Sequence, residues 1–167
     1  MIAYDVLVEA TGADKVVAAL LRREETIACA ESLTAGLASA ALGGVPGVSA
    51  ALRGGIVVYA TDVKRLLGDV PGDVLENDGA VSGPTAELLA SGVREKLGTT
   101  WGLSLTGVAG PDPQEGVLPG TVYVGICGPD GPRCAKIALS GSRWDIRIRA
   151  VARAFGEVLV DLNRGAD

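Results

Sequence analysis

Ser32 ends a short apolar run, Thr26-Ile27-Ala28-Cys29-Ala30-Glu31-Ser32, and is followed by Leu33-Thr34-Ala35-Gly36 and an alanine- and leucine-rich helical pattern. A serine on a strand-to-helix turn can present both its hydroxyl and nearby backbone N–H groups to a ligand. It is a candidate nucleophile, and the competing role is helix capping, because a serine before a helix commonly satisfies its free N–H groups. The chain contains no histidine. Any serine nucleophile must therefore be activated by a lysine, a tyrosine or a carboxylate, not through a Ser-His-Asp relay.

Lys64 is the candidate base, with a solvated surface charge as its alternative role. It follows Thr61-Asp62-Val63 in the first turn of a predicted short helix that Thr61 or Asp62 caps and Gly68 ends. A cation there opposes the helix dipole, and that field together with burial would bring its proton affinity toward what a general base needs. Tyr59, at the end of the preceding strand, can relay a proton between Ser32 and Lys64, orient them, or pack against the core. Glu31 can orient Lys64 or serve as a buried, hydrogen-bonded structural acid. Thr106 and Gly107 close a strand against a glycine-rich turn, Gly107-Val108-Ala109-Gly110-Pro111, which either offers N–H groups to an amide or phosphate or is only a tight turn. Arg143 and Arg147 stand where the last predicted helix begins, where a guanidinium fork suits a phosphate and a solvated charge is equally ordinary.

Composition narrows the classes. The chain has 167 residues, enough for one domain with a substantial core, and 48% of them are hydrophobic with a single Phe. That mixture of Ala, Val, Leu and Gly predicts closely packed layers of small side chains. The net charge of −5 and the lack of a Lys/Arg-rich patch disfavour direct nucleic-acid binding, although a few arginines gather near the C-terminus. No apolar run is long enough to span a bilayer, and the first nine residues carry acids without a basic segment, unlike a signal peptide. Cys29, Cys127 and Cys134 are odd in number and lack CxxC spacing, as in reduced thiols of a cytoplasmic protein. Without His or paired Cys no zinc site is expected and zinc-deaminase chemistry is excluded, and no acidic cluster has a spacing suited to another metal. Gly43-Gly44-Val45-Pro46-Gly47 lacks both the Gly-Lys-Ser/Thr of a P-loop and dinucleotide spacing, so no cofactor is expected.

The elements that must position these residues read as follows. Residues 15–23 repeat apolar positions at helical spacing, 26–30 form a buried strand, and a helix runs over about 34–42. A second strand spans 52–59. Ser82-Gly83-Pro84 opens a helix to about 97, which Gly98 stops. The third strand covers 101–106, and 120–127 and 133–139 pair as a hairpin around Pro129-Asp130-Gly131. A last helix covers about 144–163. Helices alternate with the first strands while the last two strands pair locally. The expectation is an α/β fold, a three-layer α/β/α arrangement with a mixed sheet in a single domain over 1–167.

Four segments in register resemble the CinA C-terminal domain family. They are Ala30-Glu31-Ser32-Leu33-Thr34-Ala35-Gly36, Gly54-Gly55-Ile56-Val57-Val58-Tyr59-Ala60-Thr61-Asp62-Val63-Lys64, Gly79-Ala80-Val81-Ser82, and Thr106-Gly107-Val108-Ala109-Gly110-Pro111 with Gly120-Thr121-Val122-Tyr123. The resemblance covers nearly the whole chain and looks like the family's stand-alone form. It departs at Leu33 and Ala35, where the family usually has Cys-Thr-Gly-Gly after Glu-Ser, and at the lysine-free stretch 112–121, where the family often has Lys-Pro-Val-Gly-Thr. The resemblance implies a nicotinamide-nucleotide amidase that converts nicotinamide mononucleotide to nicotinate mononucleotide and ammonia. In that reading Ser32, Lys64 and Tyr59 are catalytic, and Glu31, Thr34, Ala35, Gly36, Thr106, Gly107 and Arg143 bind substrate. Arg143 aligns better than Arg147 with the family's arginine. The competing reading is a non-catalytic nucleotide-binding or interaction module related to competence or DNA repair. The alanine-rich helices offer flat surfaces for a homodimer.

Overall fold

The buried run Ile27–Glu31 forms β1, the middle of the parallel part of the sheet in the computed structural model, which describes residues 5–164. Alternate β1 side chains point to opposite faces, as a strand's pleat requires. Ile27 and Cys29 join one core cluster, while Ala28 and Ala30 join the other. A strand buried on both faces explains why this run carries no polar alternation. β2 (Leu52–Val57) and β3 (Trp101–Gly107) flank β1 in parallel, and β4 (Thr121–Gly128) and β5 (Gly131–Ala138) continue antiparallel from β3. The order is β2-β1-β3-β4-β5, a mixed five-stranded sheet as expected.

Helices cover both faces. On one lie α1 (Val6–Thr11), α2 (Ala13–Arg23), α3 (Leu37–Gly43) and α7 (Arg143–Asn163), whose Val16, Leu20, Ala41, Ala150 and Phe155 bury against β1, β3 and β4. On the other lies α6 (Gly83–Leu97), with α4 (Thr61–Leu66) and α5 (Gly72–Asn77) beside it. Small residues set the spacing on that side. A Cβ at Gly102 would collide with the Ala90 carbonyl, and one at Gly125 with the Ala86 carbonyl. Ser104 Oγ donates to that same Ala86 carbonyl at 2.5 Å, so α6 is drawn directly onto the strands. The sparse aromatic content is thus matched by close helix-on-sheet packing.

The caps of α6 follow the sequence: Ser82 Oγ accepts the Thr85 N–H at 3.3 Å, Pro84 lies in the first turn, and Gly98 closes the helix in the left-handed region. Three readings need correction. The helix expected from 34 begins at Leu37, because 32–36 form a separate turn with Ala35 at φ 50 and Gly36 at φ 98. Neither Thr61 nor Asp62 caps α4; its N-cap is Ala60, with no side-chain bond. Lys64 lies in the last turn of that six-residue helix, not the first, so the dipole does not oppose its charge. The short α1 and α5 carried too few periodic positions to be read from sequence.

Candidate active site

The first three strands end together, and their carboxyl ends carry the candidate residues. Ser32 follows β1, Tyr59 and Lys64 follow β2, and Gly107 ends β3. The chain leaves β1 for β2 on one side and later for β3 on the other. That change of direction opens a crevice at the carboxyl ends of the strands, the usual place for a ligand in an open α/β sheet. A cavity of about 260 Å³ lies here, walled by Ser32, Leu33, Tyr59, residues 107–110, Asp112, Pro113, Gln114 and Arg143.

Lys64 is 1% exposed, and its Nζ lies 2.9 Å from Ser32 Oγ. The ammonium also donates to the carbonyls of Val58 at 3.1 Å and Tyr59 at 3.2 Å. All three partners are neutral, so none compensates the desolvation of a buried cation. Burial pushes Lys64 down to about 8 from 10.5, with the charge of Glu115 acting in the opposite direction. The low proton affinity has the cause expected in part, burial, but not the helix field. Ser32 is 6% exposed, its N–H is held by the Leu105 carbonyl at 2.9 Å, and its side chain opens on the cavity.

Glu31 is also fully buried, yet it does not meet Lys64. Its Oε2 accepts from Thr34 Oγ1 at 2.7 Å and from the Gly36 and Ala38 N–H groups at 3.0 Å each. Its Oε1 accepts from the Ser39 N–H at 2.8 Å and hydroxyl at 2.7 Å. This carboxylate caps α3 from inside and complements its positive end, so the Gly36 N–H and the Thr34 hydroxyl are engaged by protein. Of the two readings of Glu31, the geometry is that of the structural acid.

Other donors in the turn remain available. The Ala35 N–H is taken by the Ser32 carbonyl at 3.0 Å. The N–H groups of Leu33 and Thr34, and across the cavity those of Ala109 and Gly110, have no acceptor among the described residues. Leu33, Ala109 and Gly110 line the cavity with Ser32. Thr106 is buried, and its hydroxyl donates to the Ala80 carbonyl at 2.7 Å.

Arg143 and Arg147 divide. Arg147, from the first turns of α7, donates to the carbonyls of Leu33 at 2.9 Å and Thr34 at 3.0 Å, bracing the serine turn. Arg143 lines the cavity, donating to the Gly110 carbonyl at 2.5 Å and the Tyr59 hydroxyl at 2.6 Å. Among the described residues Arg143 makes no ion pair, which leaves its charge for a ligand. Tyr59 is 52% exposed, and its backbone carbonyl, not its phenol, is what Lys64 reaches. The 107–110 turn stands on the cavity as the sequence suggested, whereas the 112–114 wall and the bracing role of Arg147 were not foreseen. The glycine- and proline-rich stretch between β3 and β4 was the signal for the wall; Arg147 had none.

A three-layer α/β protein with a buried lysine on a serine hydroxyl, at the carboxyl ends of parallel strands, defines a narrow class. The CinA C-terminal domain family matches residues 9–162, and this chain belongs to that family. A CinA-like protein of Frankia casuarinae is 50% identical over 135 residues, covering 81% of this chain and 31% of that protein. A Geobacillus sp. protein described as competence-damage inducible is 49% identical over 136 residues, with 81% and 33% covered. The chain thus spans about a third of the length of these curated relatives. Among solved structures, the competence/damage inducible protein CihA of Agrobacterium tumefaciens superposes with a TM-score of 0.87 at 28% identity, covering 98% of this chain and 99% of that one. A CinA superfamily protein of Klebsiella pneumoniae gives 0.90 at 24% identity, covering 96% and 99%, a likeness of fold.

Proposed function

We propose that the chain is an amidohydrolase that deamidates nicotinamide mononucleotide to nicotinate mononucleotide and ammonia. The observation that carries this reading is the 2.9 Å contact between Ser32 Oγ and a buried Lys64 that burial pushes down to about 8. A binding module has no need of a lysine held near neutrality against a hydroxyl; a nucleophilic serine without histidine does.

Neutral Lys64 takes the Ser32 proton as Oγ bonds to the carboxamide carbon. The carbonyl oxygen becomes an oxyanion, for which the N–H groups of Leu33, Ala109 and Gly110 are the donors on hand. The tetrahedral adduct collapses with cleavage of the C–N bond, and protonated Lys64 passes its proton to the leaving ammonia. Water, deprotonated by Lys64, then cleaves the acyl ester and releases the carboxylic acid and the Ser32 hydroxyl. Arg143 serves the substrate phosphate, and Tyr59 holds Arg143 through its phenol and Lys64 through its carbonyl.

Ammonia release from nicotinamide mononucleotide, measured for the wild type and Ser32→Ala without added metal, tests this. Release by the wild type alone is expected. Release by both removes Ser32 as nucleophile. Binding of the nucleotide by a folded wild type without any ammonia favours the binding-module reading.

A further inference from the structure

The stretch Gly79-Ala80-Val81-Ser82 takes no part in the chemistry above, yet it is tied down closely. Ser82 Oγ and Thr85 Oγ1 donate to the Gly79 carbonyl at 3.1 and 2.7 Å. Thr106 Oγ1 donates to the Ala80 carbonyl at 2.7 Å, which joins this turn to the end of β3. The remaining polar group of Ala80, its N–H, donates to Glu115 Oε2 at 2.9 Å. Ala80 is fully buried, whereas Glu115 belongs to an exposed stretch of the loop between β3 and β4.

Glu115 is held in an unusual backbone state to do this. Gln114 and Val117 pair across a tight turn through N–H···O bonds of 3.1 and 2.8 Å, with Glu115 at φ 51 and Gly116 at φ 76 between them. A turn with two positive-φ central residues ordinarily takes Asn, Asp or Gly at the first. Here that position holds a longer carboxylate, one that reaches the Ala80 N–H. The residues just before the turn, Asp112, Pro113 and Gln114, are the outer wall of the cavity.

We propose that Glu115 is a positioning residue for this site, latching the 112–114 wall of the cavity onto the 79–80 turn and through Thr106 onto β3. The wall has few other anchors: Gly110 is held by Arg143, and Val108 and Gly120 by backbone bonds. A second link runs to the chemistry. The bonded partners of Lys64 are the neutral Ser32 hydroxyl and the Val58 and Tyr59 carbonyls, and Glu115 is the charge that acts on it.

The kinetic readout rests on the amidase reading; amide exchange does not. Ammonia release from nicotinamide mononucleotide is measured for the full chain, Glu115→Ala and Glu115→Gln, alongside amide hydrogen exchange at Ala80. Glu115→Ala is expected to raise KM about tenfold with kcat within about threefold, because the wall binds substrate without touching the reacting atoms. Its Ala80 amide exchanges faster. Glu115→Gln keeps an acceptor but no charge, so it restores KM and Ala80 protection. It also moves the acidic limb of the kcat profile to lower pH, since protonated Lys64 loses the anion that favours it. Wild-type KM and Ala80 protection in Glu115→Ala would overturn the latch, as would equal damage in both variants. A wild type that releases no ammonia sinks the amidase reading, while Ala80 exchange in the two variants still decides the latch.

Discussion

Two buried charges stand on either side of Ser32, and they are treated in opposite ways. Glu31, at the end of β1, has both oxygens filled by donors from residues 34–39. Lys64, from α4, meets only a hydroxyl and two carbonyls. A buried carboxylate ringed by N–H and O–H groups is held in place by them. A buried ammonium without a bonded anion gives up its proton readily. The same depth of burial therefore leaves Glu31 anchored and Lys64 with a lowered proton affinity. The difference lies in the partners, not in the exposure.

The sharpest way to break this contrast is to remove the lysine. Lys64→Met should lower kcat by about a thousandfold, the usual scale for general acid–base catalysis, while leaving the fold intact. Ammonia release checks it, and a rate within tenfold of wild type would take Lys64 out of the base role. Glu31→Gln should do the reverse to stability. It places an amide NH₂ against groups that are all donors, at a cost of about 3 kcal/mol, read as a Tm lowered by about 10 °C.

The pH dependence sharpens the contrast further. Unfolded, Lys64 holds its proton up to its ordinary 10.5; folded, it loses it at about 8. Between those values the unfolded chain binds more protons, so this lysine makes stability rise with pH across the window. Below about 8 the buried ammonium weighs against folding by about 3 kcal/mol. Cys134, pushed up to about 11 by burial, and Cys29, raised further, work in the opposite direction above 9. The stability difference between wild type and Lys64→Met cancels the cysteines. Lys64→Met should be the more stable below pH 8, and its advantage should shrink toward pH 10.5. Denaturant unfolding of both proteins across that range checks the slope. The smallest effect is expected at Tyr59, whose phenol bonds Arg143 while its carbonyl serves Lys64. Tyr59→Phe keeps the carbonyl and should reduce kcat less than about tenfold, with the larger change in KM. A loss of a hundredfold in kcat at constant KM would return the phenol to the proton relay.

The opposite fates of Glu31 and Lys64 also mark where sequence reading succeeds. The β1 run, the capped α6 and the hairpin of β4 and β5 were legible because local signals agree with the tertiary arrangement: a continuous apolar run, a Ser-Gly-Pro start with a glycine stop, two strands about a turn. Ser32 and Lys64 were legible as a pair because the absence of histidine leaves few bases and the motifs are in register. The start of α3 was misread because nothing local shows that Glu31, behind the turn, supplies the cap. The place of Lys64 in α4 was misread for a similar reason, since six residues carry too little periodicity to fix a boundary.

Sequence by itself determined the layered α/β class, through residue type, order and local periodicity. Through four segments in register it also determined the family and the candidacy of Ser32 and Lys64; that the two meet is a tertiary fact. Only the tertiary structure decided that Glu31 turns away from Lys64, that Arg147 braces the serine turn while Arg143 faces the cavity, and that Glu115 reaches Ala80. Glu31 is filled by donors three to eight residues on, but the partners of Glu115 and Arg147 lie 35 and 113 residues away. A side chain's chemistry is written in its type; its partner is set by packing.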